Sequence, residues 1–150
     1  MAQKKCIYIP ENSTPLQEKF INYLMHDGKK NIARNIFKNT LNIISKKDQH
    51  PEKVFEKAVE NVKPTLEVRA KRIGGAVYQI PVEVKPSRQL ALAFRWIIGA
   101  SRSSKGAPME KRLANELMSA ANGEGSAMKR KEDTIKMAAA NKAFAHYARY

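Results

Sequence analysis

The stretch LEVRAKRIGGAVYQIPVEV at residues 66–84 decides the fold, because its pattern is not helical. Two runs rich in β-branched residues flank Gly74-Gly75, and glycines at both central positions of a turn permit the positive φ angles of a two-residue hairpin. Pro81 is compatible with the edge of such a ribbon but not with the middle of a larger sheet. No second strand pair is evident, so the predicted ribbon must pack on helices or on a ligand.

Helical periodicity surrounds this ribbon. Apolar residues recur at three- and four-residue steps on both sides of it, which indicates amphipathic helices. The predicted helices begin near Leu16, Ile32, Pro51, Pro86, Pro108 and Lys131. The predicted fold is therefore mainly α, a bundle of about six helices with a β-ribbon (hairpin) inserted between the third and fourth helices. We expect one domain over residues 1–150, with 1–15 as a short N-terminal arm and 66–84 as a protruding hairpin.

Three helix boundaries bear on function. Asp27-Gly28 predicts the C-cap of the first helix, with Lys29 and Lys30 following it. The small and basic residues 99–107 predict a loop or frayed end after the fourth helix. The sixth helix is expected to begin near Lys131, because acidic residues follow there and the helix dipole favours them in the first turn. The apolar stripe of this last helix is expected to comprise Ile135, Ala139, Ala143, Phe144 and Tyr147.

The composition indicates a basic, core-forming protein. The 150 residues include 28 Lys+Arg and 14 Asp+Glu, for a net charge of +14, and 43% are apolar. That apolar share is sufficient for a core, whereas no stretch approaches the ~20 apolar residues that span a bilayer. Cys6 is the only cysteine, which excludes an intrachain disulfide and favours a reducing compartment. Nucleic acid is the commonest cellular partner for such a charge, and no membrane partner is expected.

Catalytic and metal-binding patterns are not evident. His26, His50 and His146 lie far apart without the spacing of a metal motif. The sequence has no Walker loop, no dinucleotide-binding fingerprint and no GxSxG elbow. We therefore predict no enzyme activity, no catalytic or metal site, no cofactor and no small-molecule substrate.

The first strand of the ribbon carries the densest basic cluster. Arg69, Lys71 and Arg72 place three cations within four residues, and strand alternation sends Arg72 to the face opposite the other two. Charges of this kind also protect exposed edge strands from aggregation. Three cations within four residues are more than protection of an edge strand requires. The cluster therefore favours contact with nucleic-acid phosphates.

Other basic groups permit two interpretations. Lys129, Arg130 and Lys131 precede the predicted sixth helix, where free backbone N–H groups bind phosphate, but a solvated linker explains them equally well. Lys29 and Lys30 have the same ambiguity. A seven-residue spacing places three further arginines on a single helix face: Arg88, Arg95 and Arg102. They are either RNA contacts or a solvated cationic stripe.

Taken in order, these segments resemble the universal family of small-subunit ribosomal protein seven. The resemblance covers most of the chain, through KFINYLMHDGKKNIA (19–33), ENVKPTLEVRAKRIGGAVYQIPVEVKPSR (60–88), LALAFRWI (90–97), KRLANEL (111–117) and KRKEDTIKMAAANKAFAHYARY (129–150). It implies six helices and a ribbon between the third and fourth. It also implies a structural role, in which the protein binds the 3′ major domain of small-subunit rRNA and nucleates assembly of the head.

The resemblance implies particular partners and contact residues. Exit-site tRNA and the mRNA path are expected nearby, as are neighbouring small-subunit proteins including platform protein eleven. The ribosome is bacterial and cytoplasmic, or organellar. RNA-facing positions on and below the ribbon are expected at Arg69, Lys71, Arg72, Lys85 and Arg88. Contacts from the helical body are expected at Lys29, Lys30, Lys129, Arg130 and Lys131.

The sequence departs from the family pattern in its arm, and a second function class stays open. Family members carry an Arg-rich N-terminal arm, whereas residues 1–15 contain only Lys4 and Lys5 as cations. The alternative is an architectural DNA-binding protein whose β-arm enters a minor groove, with Ile80-Pro81 as the wedge. An RNA-modifying enzyme is disfavoured because no catalytic constellation is evident.

Overall fold

A computed structural model of the chain describes residues 9–10, 13–47 and 50–149. Its α-helices are α1 (Pro15–Leu24), α2 (Lys30–Ser45), α3 (Pro51–Val62), α4 (Pro86–Ser103), α5 (Met109–Ala121) and α6 (Ser126–Ala140). Strands β1 (Leu66–Ile73) and β2 (Ala76–Glu83) form one antiparallel hairpin, and a terminal 3₁₀ helix spans Lys142–Arg149. The predicted mainly α fold with a hairpin between the third and fourth helices is confirmed. Most of the predicted N-terminal arm, with Lys4, Lys5 and Cys6, lies outside the described residues.

Four phenylalanine rings from four helices form the centre of the core. Phe20 of α1 is fully buried, and its ring centroid lies 5.5 Å from Phe37 of α2, 5.2 Å from Phe55 of α3 and 5.1 Å from Phe94 of α4. The contacts with Phe55 and Phe94 are edge-to-face, the arrangement that aromatic quadrupoles favour. These rings therefore fix the relative positions of α1 to α4.

Helix α4 is longer than predicted. The sequence predicted a loop or frayed end over residues 99–107, but α4 continues as a regular helix to Ser103. Ala100 and Ser101 are buried there, and the Ser101 hydroxyl donates to the Ile97 carbonyl at 2.8 Å. Arg112 of α5 donates to the carbonyl of Arg102 at 3.2 Å and so caps the extended end. Glycine and serine have low helix propensity, and tertiary contacts overrule that propensity here.

The boundary at the end of α1 also differs from prediction. The helix ends at Leu24 with Met25 as C-cap, so Gly28 is not its capping residue. Asp27 and Gly28 instead have φ angles of 51° and 72° in the turn that leads into α2. That helix begins at Lys30, two residues earlier than expected.

Helix α6 begins at Ser126, five residues before the predicted start at Lys131. The reason is a long-range cap, since the Ala127 N–H donates to the Glu116 carboxylate of α5 at 2.8 Å. The helix ends at Ala140, and its buried residues are Ala127 and Ala138. The predicted stripe is therefore wrong, and Ile135 and Ala139 are exposed.

The hairpin has the predicted register and turn. Gly74 and Gly75 take φ angles of 57° and 88°, both positive as a type I′ turn requires. Lys71 pairs with Tyr78 across the strands. The Tyr78 ring packs on the terminal 3₁₀ helix, 5.2 Å from Phe144 and 5.6 Å from Tyr147 between centroids. The predicted requirement that the ribbon pack on helices is met by this segment and by α6.

We predict that Phe20→Ala destabilises the protein by about 3–5 kcal/mol, because it leaves a cavity among three rings. Urea unfolding followed by circular dichroism at helical wavelengths measures the loss. Phe144→Ala is the matched control, since its half-buried ring supports the hairpin rather than the helical core. Equal losses for the two variants contradict the assignment of the Phe20 cluster as the centre of stability.

Candidate nucleic-acid interface

The cations predicted to face RNA divide into two groups. Some hold a partner within the protein: Lys30, Arg69, Lys71, Arg88, Arg95, Arg102 and Lys131. The side chains of the others make no hydrogen bond or ion pair to any residue that the structure describes: Lys29, Arg72, Lys85, Lys129 and Arg130. All members of the second group are exposed. The first group is fixed in position, whereas the second is available to a polyanion.

Three arginines form a strip along α4, which we call the α4 strip: Arg88, Arg95 and Arg102. Arg88 Nε donates to both carboxylate oxygens of Glu67 at 2.8 and 2.7 Å. The Arg95 guanidinium lies 5.9 Å from the ring centroid of Tyr23, and Arg102 donates to the Leu24 carbonyl at 3.1 Å. All three side chains stay exposed, so the predicted common face is present; Arg88 is anchored to β1, and Arg95 and Arg102 are anchored to α1.

The α4 strip joins two regions that are distant in sequence. Helix α4 has 18 residues, so it extends about 27 Å at 1.5 Å per residue. Arg88 at its start contacts β1, and Arg102 near its end contacts the last turn of α1. The strip therefore connects the base of the hairpin with the turn between α1 and α2.

The turn between α1 and α2 contains Lys29 and Lys30. Lys30 occupies the first position of α2, where a cation opposes the helix dipole. Glu18 of α1 compensates, because its Oε2 lies 3.4 Å from Lys30 Nζ and 3.0 Å from Arg34 Nη2. Glu18 is 1% exposed. Of the two predicted lysines, Lys29 is therefore the freer to meet a ligand.

Burial and the neighbouring cations shift the pKa of the Glu18 carboxyl in opposite directions. Burial raises the pKa of Glu18, but hydrogen bonds and charge from Arg34 and Lys30 lower it more. The resulting pKa lies below the ordinary value of 4.5. The Glu18 carboxyl therefore stays ionised at neutral pH, and its ion pairs tie α1 to α2.

We predict an acid-sensitive contribution of Glu18 to stability. A folded-state pKa below the unfolded one stabilises the fold above pH 4.5, and that contribution is lost as the pH falls through the folded pKa. In urea unfolding, Glu18→Gln should lower the free energy of unfolding at neutral pH and flatten its decline in acid. Glu56→Gln, on an exposed position of α3, is the control. A Glu18→Gln variant with the wild-type slope contradicts this role.

The hairpin separates its cations as predicted. The register opposes Arg69 to Ile80 and Lys71 to Tyr78, which places these residues on the face that packs on the protein body. Lys71 Nζ donates to the Tyr147 carbonyl at 3.4 Å on that face. Arg72 lies on the other face beside its strand partner Val77, and both are exposed. Arg72 is the hairpin cation best placed to reach RNA.

The basic cluster of α6 lies within the helix and not before it. The predicted phosphate site at a helix N-terminus following Lys129, Arg130 and Lys131 is therefore wrong, because the true N-terminus is occupied by Glu116. Lys131 instead points to the end of α3, where it donates to the Asn61 carbonyl. Lys129 and Arg130 are exposed on a helix that packs against β1 and α4.

Sequence reasoning missed two features. Glu67 forms ion pairs with two arginines, Arg69 and Arg88. The available indication was that Glu67 and Arg69, two residues apart on a strand, lie on the same face. A groove of about 380 Å³ between α3 and α5 is lined by Lys47, Lys53 and Lys57. Lys53 and Lys57 lie one turn apart on α3 and Lys47 follows α2, so the four-residue spacing of the two α3 lysines was the available indication.

The structure argues against the DNA-wedge mechanism. Ile80 is 1% exposed, because it faces the protein body beside Arg69. An intercalating wedge requires an apolar side chain that projects from the arm. In the part of the chain that the structure describes, no group of three metal-ligating side chains is present, and no helix is long and apolar enough to cross a membrane.

Fold and surface together define a class of protein: a helical polyanion binder with a β-arm and an anchored arginine strip. The comparisons then identify its family. A family model described as Ribosomal protein S7p/S5e matches residues 1–142. The small ribosomal subunit protein uS7 of a Nitratiruptor species is 58% identical over 131 residues, which is 86% of this chain and 84% of that protein.

Two further relatives carry the same name. The protein from Campylobacter hominis is 56% identical over 131 residues, covering 86% of this chain and 84% of its own. That from Thermotoga neapolitana is 54% identical over 133 residues, covering 88% and 86%. The chain belongs to the ribosomal protein S7p/S5e family. It is a structural protein of the small ribosomal subunit that acts in translation, and it is not an enzyme.

Proposed function

We propose that this protein binds the 3′ major domain of small-subunit rRNA directly and nucleates assembly of the head. The observation that carries the proposal is the arrangement of the α4 strip, which links the hairpin base to the α1–α2 turn. Exposed cations lie on neighbouring segments, with Lys29 in the α1–α2 turn, Lys85 just before α4, and Lys129 and Arg130 on α6, which packs against α4. The named relatives are bacterial, which supports a ribosome in a bacterial cytoplasm.

The proposed mechanism combines electrostatic affinity with recognition of shape. Cations that neutralise phosphates release condensed counterions, so the affinity falls steeply as salt rises. Side chains cannot enter the deep major groove of an A-form helix, and specificity must come from the spacing of contacts on a folded RNA. The anchored arginines supply a fixed spacing, and the unpaired lysines supply charge.

The family resemblance supports the proposed neighbours of the hairpin. We place the exposed face that carries Arg72 and Val77 towards exit-site tRNA and the mRNA path. Val77 is 64% exposed beside Arg72, so this face offers one apolar and one cationic side chain to a neighbouring macromolecule. Other small-subunit proteins, including platform protein eleven, are the proposed protein contacts.

We predict that the full chain prefers a 3′ major-domain rRNA fragment to duplex DNA of equal length, and that the preference survives physiological salt. Filter binding over a salt titration measures both affinities. The shape-specific component should persist for the rRNA fragment when the purely electrostatic component has declined. Equal affinities that decline together contradict the proposal, and a preference for DNA supports the architectural alternative.

We predict that Lys85→Glu combined with Lys129→Glu weakens binding to the rRNA fragment. Each lost phosphate contact should also reduce the slope of log affinity against log salt by about 1. Both residues are exposed and unpaired among the described residues, so the fold should be retained. Lys19→Glu combined with Lys38→Glu, at exposed cations of α1 and α2 outside the predicted interface, is the charge-matched control. An equal effect of this control pair would mean that net charge alone governs binding.

A further inference from the structure

A buried carboxylate at the base of the hairpin forms ion pairs with two arginines from different elements. Glu67 of β1 is 7% exposed. Its Oε1 accepts from Arg69 Nε at 3.0 Å and from Arg88 Nε at 2.8 Å, and its Oε2 accepts from Arg88 Nε at 2.7 Å. The two guanidinium groups, one from β1 and one from the first turn of α4, therefore meet at a single oxygen atom.

Only part of each arginine is used by this contact. Both guanidinium groups bind Glu67 through Nε, and their terminal nitrogens form no hydrogen bond to any described residue. The side chains are 59% exposed for Arg69 and 44% exposed for Arg88. Fixing Nε orients the planar fork of an arginine, and the free Nη groups are the donors that match a phosphate bidentately.

We propose that Glu67 is a positioning residue that aligns Arg69 and Arg88 as a clamp for one phosphodiester of the bound RNA. This inference rests on the proposed binding of rRNA. Two cations against one buried anion leave a surplus positive charge at the exposed side of the cluster. The ordering of two long side chains before binding removes an entropic cost that free arginines would incur on contact.

The same cluster also ties β1 to α4, so binding and stability must be separated by experiment. The base of the hairpin is held independently, because the Val84 N–H donates to the Thr65 carbonyl at 3.1 Å and Gln89 donates to the Val84 carbonyl at 3.1 Å. The hairpin should therefore survive loss of the Glu67 charge. A change in RNA affinity at an intact hairpin then reports positioning.

Glu67→Gln gives opposite outcomes for the two interpretations. The substitution removes a negative charge, so electrostatics alone predicts tighter binding to a 3′ major-domain rRNA fragment. The clamp predicts binding weaker by about tenfold, the loss expected for one charge-assisted hydrogen bond. Glu83→Gln is the matched control, because Glu83 is an exposed carboxylate on β2 with no ion pair among the described residues. It should leave affinity equal or slightly raised.

Arginine-to-lysine variants test the clamp without a change of charge. Arg69→Lys and Arg88→Lys remove the Nε donor and the planar fork but keep the cation, so each should weaken binding by a similar factor. Arg34→Lys is their control, since Arg34 also pairs with a buried carboxylate, that of Glu18, but lies outside the predicted interface. Combining Glu67→Gln with Arg88→Lys should cost little more than either alone, because the two residues act as one unit.

The outcomes separate this inference from the proposed function. If the wild-type protein shows no preference for the rRNA fragment, the proposed function fails. If the wild type shows that preference but Glu67→Gln binds as tightly as Glu83→Gln, the clamp is overturned and the cluster is a structural tie. Amide NMR spectra of the hairpin check folding. If Glu67→Gln disturbs the fold of the hairpin, the variants Arg69→Lys and Arg88→Lys test the clamp instead. If both of these variants bind the rRNA fragment with wild-type affinity, the clamp is overturned.

Discussion

The contact of Phe20 with three other phenylalanine rings is the interaction on which the remaining structure depends. Each ring comes from a different helix, and the net charge of +14 repels the parts that these rings hold together. Burial of large aromatic side chains is the main available compensation. Because Phe94 belongs to α4, the same cluster sets the position of the α4 strip. The core and the candidate interface therefore share one helix, which presents opposite sides to them.

Acidic residues organise this basic protein at the starts of helices. Glu18 pairs with Lys30 at the first position of α2, Glu67 with Arg88 in the first turn of α4, and Glu116 accepts from Ala127 at the start of α6. A helix N-terminus carries partial positive charge, so a carboxylate is favourable there even without a cation. Each acid joins two elements, while the side chains of Lys29, Arg72, Lys85, Lys129 and Arg130 form no ion pair with any described residue and are left for a polyanion.

The sequence predicted what local patterns determine. Gly74-Gly75 defined the hairpin, and the buried face of α3 follows the apolar spacing of Phe55, Ala58, Val59 and Val62. The boundaries of α4 and α6 could not be predicted, because Arg112 and Glu116 of α5 set them from a distance. The sequence also showed where Lys and Arg residues cluster. Their division into anchored and free cations depends on partners such as Glu67 and Arg88, which lie 21 positions apart.

This division gives the two groups of cations different tasks in the proposed function. Phosphate contacts carry no base information, so charge alone cannot distinguish one folded RNA from another. A fixed distance between contacts can distinguish one folded RNA from another, because an A-form junction presents its phosphates at defined spacings. Arg88 and Arg102 are held at opposite ends of one rigid helix, whereas Lys85 and Lys129 are free to adjust. Selectivity for rRNA should therefore depend on the anchored arginines, and the salt-dependent share of affinity on the free cations.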